Sequence, residues 1–410
     1  MSTGNSMHKH ISQLQAWAFA IGTSVGWGSL VVTSSTYLAQ AGPAGSCLGL
    51  LAGAVVMLFI SYNYAYMMKN YPEAGGAYVY AREVFGYDQG FLIAWFAAIT
   101  YFAMLWANAT SLPLFGRIFL GGLFSVGRMY TLFGYDVYFG EAMLTMAAIV
   151  LIGFLCAKTP RMAWVNAGLA ILFSAGIILA FGASAAGGIS LSPAFVPDYS
   201  AMGQIAKIAV ISPWAFIGFE SISHHTEEFS FGHEKIFRVL VAAVVSTVVL
   251  YILVTLLSVT AYPAQFGSWL EYIRALDTLD GLEALPAFYA AHAYLGDAGV
   301  LILMLSLLAL VITSLIGNIT ALSRLFFALA KDRVLPLQFA ELNEEGIPAK
   351  AVWLVTGLSL IVPFIGRTAI GWIVDVTTIG AVLLYGFVSA CVASMGQKME
   401  DKKEMWSGRI

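Results

Sequence analysis

Apolar residues in this chain come in runs of roughly twenty, the length of a membrane-crossing helix, with short polar stretches between them. From Ile11 to Met68 there is no Asp, Glu, Lys or Arg. One helix of that length would reach roughly 87 Å at 1.5 Å per residue, against a bilayer core about 30 Å thick. The run is therefore two spans and a turn, and QAGPAGS at Gln40 to Ser46 supplies the turn. It is too long for a secretory leader and leads directly into a second apolar run. The same reading along the whole chain predicts ten helical spans: 13–35, 44–68, 89–116, 141–157, 163–184, 203–226, 239–262, 298–328, 350–366 and 370–394. None shows the two-residue alternation of a β-barrel strand. Between spans 2 and 3, KNYPEAGGAYVYAREVFG predicts a turn and an amphipathic stretch, and the long segment from Pro263 to Asp297 predicts short surface helices that form a lid.

Composition agrees with a membrane protein. Of 410 residues, 60% are hydrophobic and 10% charged, with a mean hydropathy of +0.82, far from a soluble domain. With the N-terminus inside, 15 of the 20 basic residues fall on cytoplasmic segments, which predicts a cytoplasmic N-terminus and an even number of spans in the cell membrane. The expected organisation is a cytoplasmic segment 1–12, five spans in 13–184, five more in 203–394, and a cytoplasmic tail 395–410. The partners expected are the lipid bilayer and a small-molecule substrate; nothing points to nucleic acid, and oligomeric state leaves no trace in the sequence. No phosphate loop, metal-ligand spacing or nucleophile–base pattern appears, so neither an enzyme nor a cofactor is expected. Cys47, Cys156 and Cys391 lie in or near spans and imply no disulfide framework.

Two spans carry residues that weaken a helix. GTSVGWGS (22–29) puts Gly22, Gly26 and Gly28 inside span 1, and SPWAFIGFES (212–221) puts Pro213, Gly218 and Glu220 inside span 6. Freed amides and carbonyls are tolerable in a membrane only where they line a cavity or find partners. For span 1 alone, close packing of small residues through Gly22-x-x-x-Gly26 is an equal alternative. Spans 1 and 6, however, open the two five-span halves, and breaks at corresponding positions of two halves point to a transporter site. Half-helix N-termini offer amides to an anion and C-termini offer carbonyls to a cation, which suits a zwitterion such as an α-amino acid.

Four motifs then resemble one family in order along the chain. GTSVGWGS resembles the glycine signature of the first helix in amino acid permeases of the amino acid–polyamine–organocation (APC) superfamily. PEAGGAYVYARE resembles the segment after the second helix, and WAFIGFES (214–221) resembles the sixth-helix motif. SRLFFALAKDRVLPLQFAELNEEGIPAKAVW (323–353) resembles the connection from the eighth helix to the ninth. The resemblance implies an all-α, LeuT-like 5+5 inverted-repeat bundle with discontinuous helices 1 and 6. It implies that amides around Gly26, Trp27 and Gly28 hold a substrate carboxylate. Carbonyls near Gly22, Thr23 and Ser24, with those from Trp214 through Phe216 and Ile217 to Gly218, would receive an ammonium. Trp214 falls at the position of an aromatic gate, and Phe219 would form a pocket wall.

The chain departs from that family at several points. Trp27 stands where a small residue is usual, and Ser29 where isoleucine is usual. No Lys or Arg lies between Met162 and Pro197, so the helix 5 lysine that replaces a sodium ion in many relatives is absent. Relatives usually have about twelve helices; either helices 11 and 12 are missing from this chain or it is a minimal member.

Among other polar residues, Glu220 is a proton-coupling candidate, because carboxylates in apolar spans are costly and usually functional; the alternative is a permanently hydrogen-bonded structural carboxylate. Thr313 and Ser314 are weak sodium-site candidates, since membrane hydroxyls more often bond their own backbone. Asp375 is expected near an outer helix end. HHTEE (224–228) is read as a solvated helix end rather than a metal cluster. The predicted function is secondary transport of amino acids or related amines by alternating access, proton-coupled or by exchange. The alternative is a non-transporting membrane sensor or partner subunit that retains the fold.

Overall fold

The structure is a computed structural model, and it describes residues 7–187, 191–197 and 199–398. Most of the tail expected at 395–410 therefore lies outside the described residues. The fold is an all-helical bundle, and every predicted span appears. Span 1 is split into α1 (Gln13–Ser24) and α2 (Trp27–Val32), followed by a π-helical turn at Thr33–Leu38. Spans 2 and 3 are α3 (Ala39–Asn70) and α5 (Tyr87–Ala109), with the short α4 (Ala77–Phe85) between them and α6 (Ser111–Phe119) continuing span 3. The turn expected at Gln40–Ser46 is a kink at Gly42, where φ is 64°. Spans 4 and 5 are α7 (Phe139–Lys158) and α8 (Met162–Ala186).

Span 6 begins as α9 (Ala201–Ile211) and continues as two 3₁₀ segments, Ser212–Phe216 and Phe219–Glu228. The remaining spans are α10 (Ile236–Leu257), α13 (Asp297–Lys331), α14 (Ala349–Ser359) and α15 (Arg367–Lys398). The predicted lid holds α11 (Trp269–Arg274) and α12 (Pro286–Leu295). Buried Trp269 there packs with Leu38, so the lid rests on the far end of span 1.

Among the described residues, eight helices are long and apolar enough to cross a membrane. Span 1 fails that test because its break leaves two short pieces, and span 9 because its helix Ala349–Phe364 is short. A hairpin of β1 (Arg128–Leu132) and β2 (Tyr135–Tyr138) joins spans 3 and 4, and the apolar pattern did not predict it. α1 lies at the centre, packed on α8, α10, α13 and the second 3₁₀ segment of span 6. Large apolar side chains on the outer helices, such as Trp95, Trp164 and Leu179, are exposed, as a bundle that faces lipid requires.

Candidate functional site

The two predicted breaks meet. α1 ends at Ser24, and Val25 and Gly26 adopt extended conformations before α2 begins at Trp27. In span 6 the break falls at Ile217 and Gly218, where Gly218 takes φ +104°. That conformation suits glycine. A Cβ at Gly218 would also lie 3.0 Å from the Thr23 carbonyl carbon and oxygen and 2.9 Å from Met104 Cε. The Thr23 hydroxyl joins the breaks: Gly218 O lies 2.6 Å away and Ser221 Oγ 2.8 Å away, with the Phe19 carbonyl at 2.7 Å as a local alternative. Ser24 bonds back to Ala20 O at 2.9 Å and reaches Thr247 Oγ1 at 3.2 Å. The freed backbone at the breaks thus finds partners, as a break inside a membrane must.

A cavity of about 730 Å³ opens from this junction. Thr23, Ser24, Gly26, Trp27 and Gly28 line it from span 1, and Trp214 and Ile217 from span 6. The lining from span 1 begins at Thr23 and continues past the break, whereas the lining from span 6 stops at Ile217. The cavity therefore occupies the half of the molecule away from the N-terminus. Gly22, Phe216, Gly218 and Phe219 do not line it. Gly22 lies within α1, where a Cβ would come 2.8 Å from Thr313 Cβ, so there the packing reading holds. Phe216 is fully buried, and Phe219 is buried in a ring cluster with Tyr64 and Tyr385.

The Trp27 amide is already engaged, since it donates to Asn108 Oδ1 at 3.0 Å. Asn108 is itself held by its Nδ2 donating to Met104 O at 2.9 Å. Sequence reasoning missed Asn108, although an amide inside the apolar span 3 is the kind of signal that identified Glu220. It also missed Tyr37, Tyr251 and Arg367, all on the cavity wall. Asp375 is exposed and lines the cavity.

Glu220 is buried behind the break. Its carboxylate accepts from Tyr101 OH, Tyr385 OH and the Gly218 amide, each at 3.0 Å. The hydroxyl of Thr313 donates to Leu310 O at 2.8 Å, and Ser314 receives the Asn318 amide at 3.2 Å. Nearby Asn166 on α8 is fully buried with no hydrogen-bond partner for its side chain, and its Oδ1 would lie 3.6 Å from a Cβ at Gly22.

The HHTEE reading needs correction. His224, His225, Thr226 and Glu228 are each 1% exposed, not solvated. Two distant segments cover them. The amides of His10 and Ile11 both donate to Glu228 O at 2.9 Å, and the Arg324 guanidinium from α13 grips the Glu228 carboxylate with two bonds of 2.9 Å. His225 stacks on Phe19 with ring centroids 4.9 Å apart. These contacts bury the segment that follows the span 6 break.

On the cavity side, Arg117 holds Glu141 through Nε and Nη2 at 2.6 and 2.7 Å. Arg128 holds Asp136 at 2.9 Å. The Thr131 hydroxyl first, and Arg128 next, keep the Asp136 carboxyl below its usual pKa.

A family model described as amino acid permease matches residues 11–408. The chain is 25% identical over 413 residues to the methylthioribose transporter of Bacillus subtilis (strain 168), covering 98% of this chain and 84% of that protein. It is 23% identical over 415 residues to the branched-chain amino acid permease BcaP of the same organism, covering 97% of this chain and 83% of the relative. Among solved structures, a Na⁺-coupled sialic acid symporter in a substrate-bound outward-open state shares the fold, with a TM-score of 0.58 at 12% identity, covering 97% of this chain and 88% of that one.

Proposed function

This chain belongs to the amino acid permease family, a family of membrane transporters, and we propose that it moves an amino acid across the cell membrane by alternating access. One observation carries this reading: the cavity ends at two apposed helix breaks and reaches only one side, while the opposite side is closed by paired and stacked groups. A site open to one face at a time is what alternating access requires. The amides of Gly26 and Gly28 at the start of α2 offer an anion site, and the α1 carbonyls around Thr23 offer a cation site. Met104, Ile211, Trp214 and Ile217 give the cavity an apolar wall, which suits a neutral amino acid with an apolar side chain. Trp214, half-buried on that wall, is the proposed gate.

For coupling, exchange fits best. Glu220 already has its carboxylate oxygens engaged by three donors, and the Thr23–Gly218 contact separates it from the cavity. A sodium ion near Thr313 and Ser314 would have only neutral oxygens to hold it, a weak cation site. The reading is tested by uptake of labelled amino acids into proteoliposomes, with and without unlabelled amino acid inside. Exchange predicts uptake that depends on the internal substrate. Absence of uptake for every amino acid tried would end the transport reading.

A further inference from the structure

Arg367 stands at the start of α15, on the wall of the cavity. A guanidinium is always charged and brings five N–H donors in a planar fork. Two carboxylates of the region that joins spans 3 and 4 already have arginine partners. Glu141 is engaged by Arg117 and also accepts the Ser125 hydroxyl at 2.7 Å. Asp136 is engaged by Arg128 and Thr131. Among the described residues, no carboxylate lies within 4.0 Å of Arg367. Asp375 is eight residues further along the same helix, about 12 Å by helical rise.

The partners of Arg367 are neutral. Its Nη1 donates to the carbonyl of Ala107 and to Thr110 Oγ1, the latter at 2.8 Å. These groups sit at the C-terminal end of α5, where unpaired carbonyls and the helix dipole favour a cation. They hold the guanidinium by one nitrogen, and among the described residues Nε and Nη2 have no hydrogen-bond partner. Ala107 directly precedes Asn108, the residue that occupies the Trp27 amide. The guanidinium thus shares the cavity wall with the residues of the helix 1 break, and it is the only Lys or Arg among the described residues that line the cavity.

We propose that Arg367 is a specificity-determining residue that reads the carboxylate of the substrate, in place of the backbone amide that Asn108 removes from the break. The inference rests on the transport reading above and narrows it: this chain takes carboxylates and rejects carboxylate-free amines and neutral sugars. Preorganisation supports it, because a fork already held by Ala107 and Thr110 loses little freedom when it binds a planar carboxylate.

The test uses matched pairs: leucine with isoamylamine, and phenylalanine with phenethylamine, each measured by binding to the purified full chain and by uptake into proteoliposomes. Wild type is expected to prefer each acid over its amine by about tenfold or more, and Arg367→Gln to weaken acid binding by about 10- to 100-fold and so to collapse the preference. Arg367→Lys keeps the charge but loses the fork and is expected to fall between. Loss of the α5 contact alone would lower thermal stability without changing the acid-to-amine ratio, so the ratio is the deciding readout. Equal affinity of wild type for acid and amine would overturn the inference and leave transport standing, and this comparison holds even if Arg367→Gln does not fold. An unchanged ratio in a folded Arg367→Gln would also overturn it. If wild type binds none of the four compounds, this inference falls, and the transport reading stands or falls by the wider uptake panel above.

Discussion

Replacing Glu228 by glutamine should open the sealed side of the molecule. Glu228 and Arg324 are 1% and 6% exposed and share two bonds of 2.9 Å. Removing one partner of such a pair costs about 3–5 kcal/mol, because the other charge stays buried and uncompensated. Opening the N-terminal half would return Arg324 to water and recover much of that cost. If about 3 kcal/mol is recovered, the population with this side open rises about 100-fold. The readout is alkylation of a cysteine placed at Ser223, which is 1% exposed. Cys47, Cys156 and Cys391 would first be replaced. When opening is faster than labelling, the maleimide rate follows the open population and should rise about 100-fold in Glu228→Gln. Removing both charges, as Glu228→Met with Arg324→Met, should bring the rate back to within about tenfold of the parent, since a buried pair replaced by apolar residues is often neutral. A rate in Glu228→Gln within threefold of the parent, or a double variant that labels as fast as the single, would refute the role of this pair in closure.

Trp214→Ala is expected to reduce uptake by about tenfold while the melting temperature moves only a few degrees, since a half-buried ring contributes more to closing a path than to the core; unchanged uptake kinetics would return Trp214 to a packing role. Gly218→Ala should lower stability by about 2–3 kcal/mol, from the left-handed backbone and the 3.0 Å approach to Thr23, and a melting temperature equal to wild type would show that the break relaxes freely. Glu220→Gln leaves one NH₂ facing the Tyr101 and Tyr385 hydroxyls, so uptake should fall without a shift in its pH dependence; uptake that follows a pH gradient in wild type and loses that dependence in the variant would assign proton coupling to Glu220. Uptake that collapses when sodium is replaced by choline would instead revive the site at Thr313 and Ser314.

Hydropathy made the helices legible, because a segment that crosses lipid must be apolar along most of its length, and eight of the described helices meet that test in full. The breaks were legible for a related reason: Gly26 and Gly218 sit where a helix has no local cause to weaken. What stayed hidden depends on partners distant in sequence. HHTEE reads as a solvated end unless residues 10 and 11 and Arg324 are known to cover it. Arg367 reads as one more loop cation until Arg117 and Arg128 are seen to take the nearby carboxylates. The hairpin at 128–138 was masked because its exposed side chains carry no burial pattern. Resemblance placed Phe216 and Phe219 in the site, yet the 3₁₀ winding of span 6 turns both into the core, where Phe219 serves the enclosure around Glu220.

The two sides of the breaks differ in how their polar groups are engaged, and that difference sets the energetics of the cycle. On the N-terminal side, Glu228, Arg324 and the backbone of residues 10 and 11 bond to one another. On the cavity side, among the described residues, Arg367 has spare donors, Asp375 is exposed, and the Tyr37 hydroxyl has no partner. Reversal must therefore break a satisfied set of contacts, and empty protein gains no equivalent set in exchange. A substrate whose carboxylate engages Arg367 supplies part of that missing set and lets the walls of the cavity close around it. Since a ligand shifts a two-state equilibrium only by its differential affinity for the two states, the closed, substrate-filled site must hold the substrate more tightly than the open one does. On the exchange reading proposed above, such a protein would reverse readily when loaded and slowly when empty.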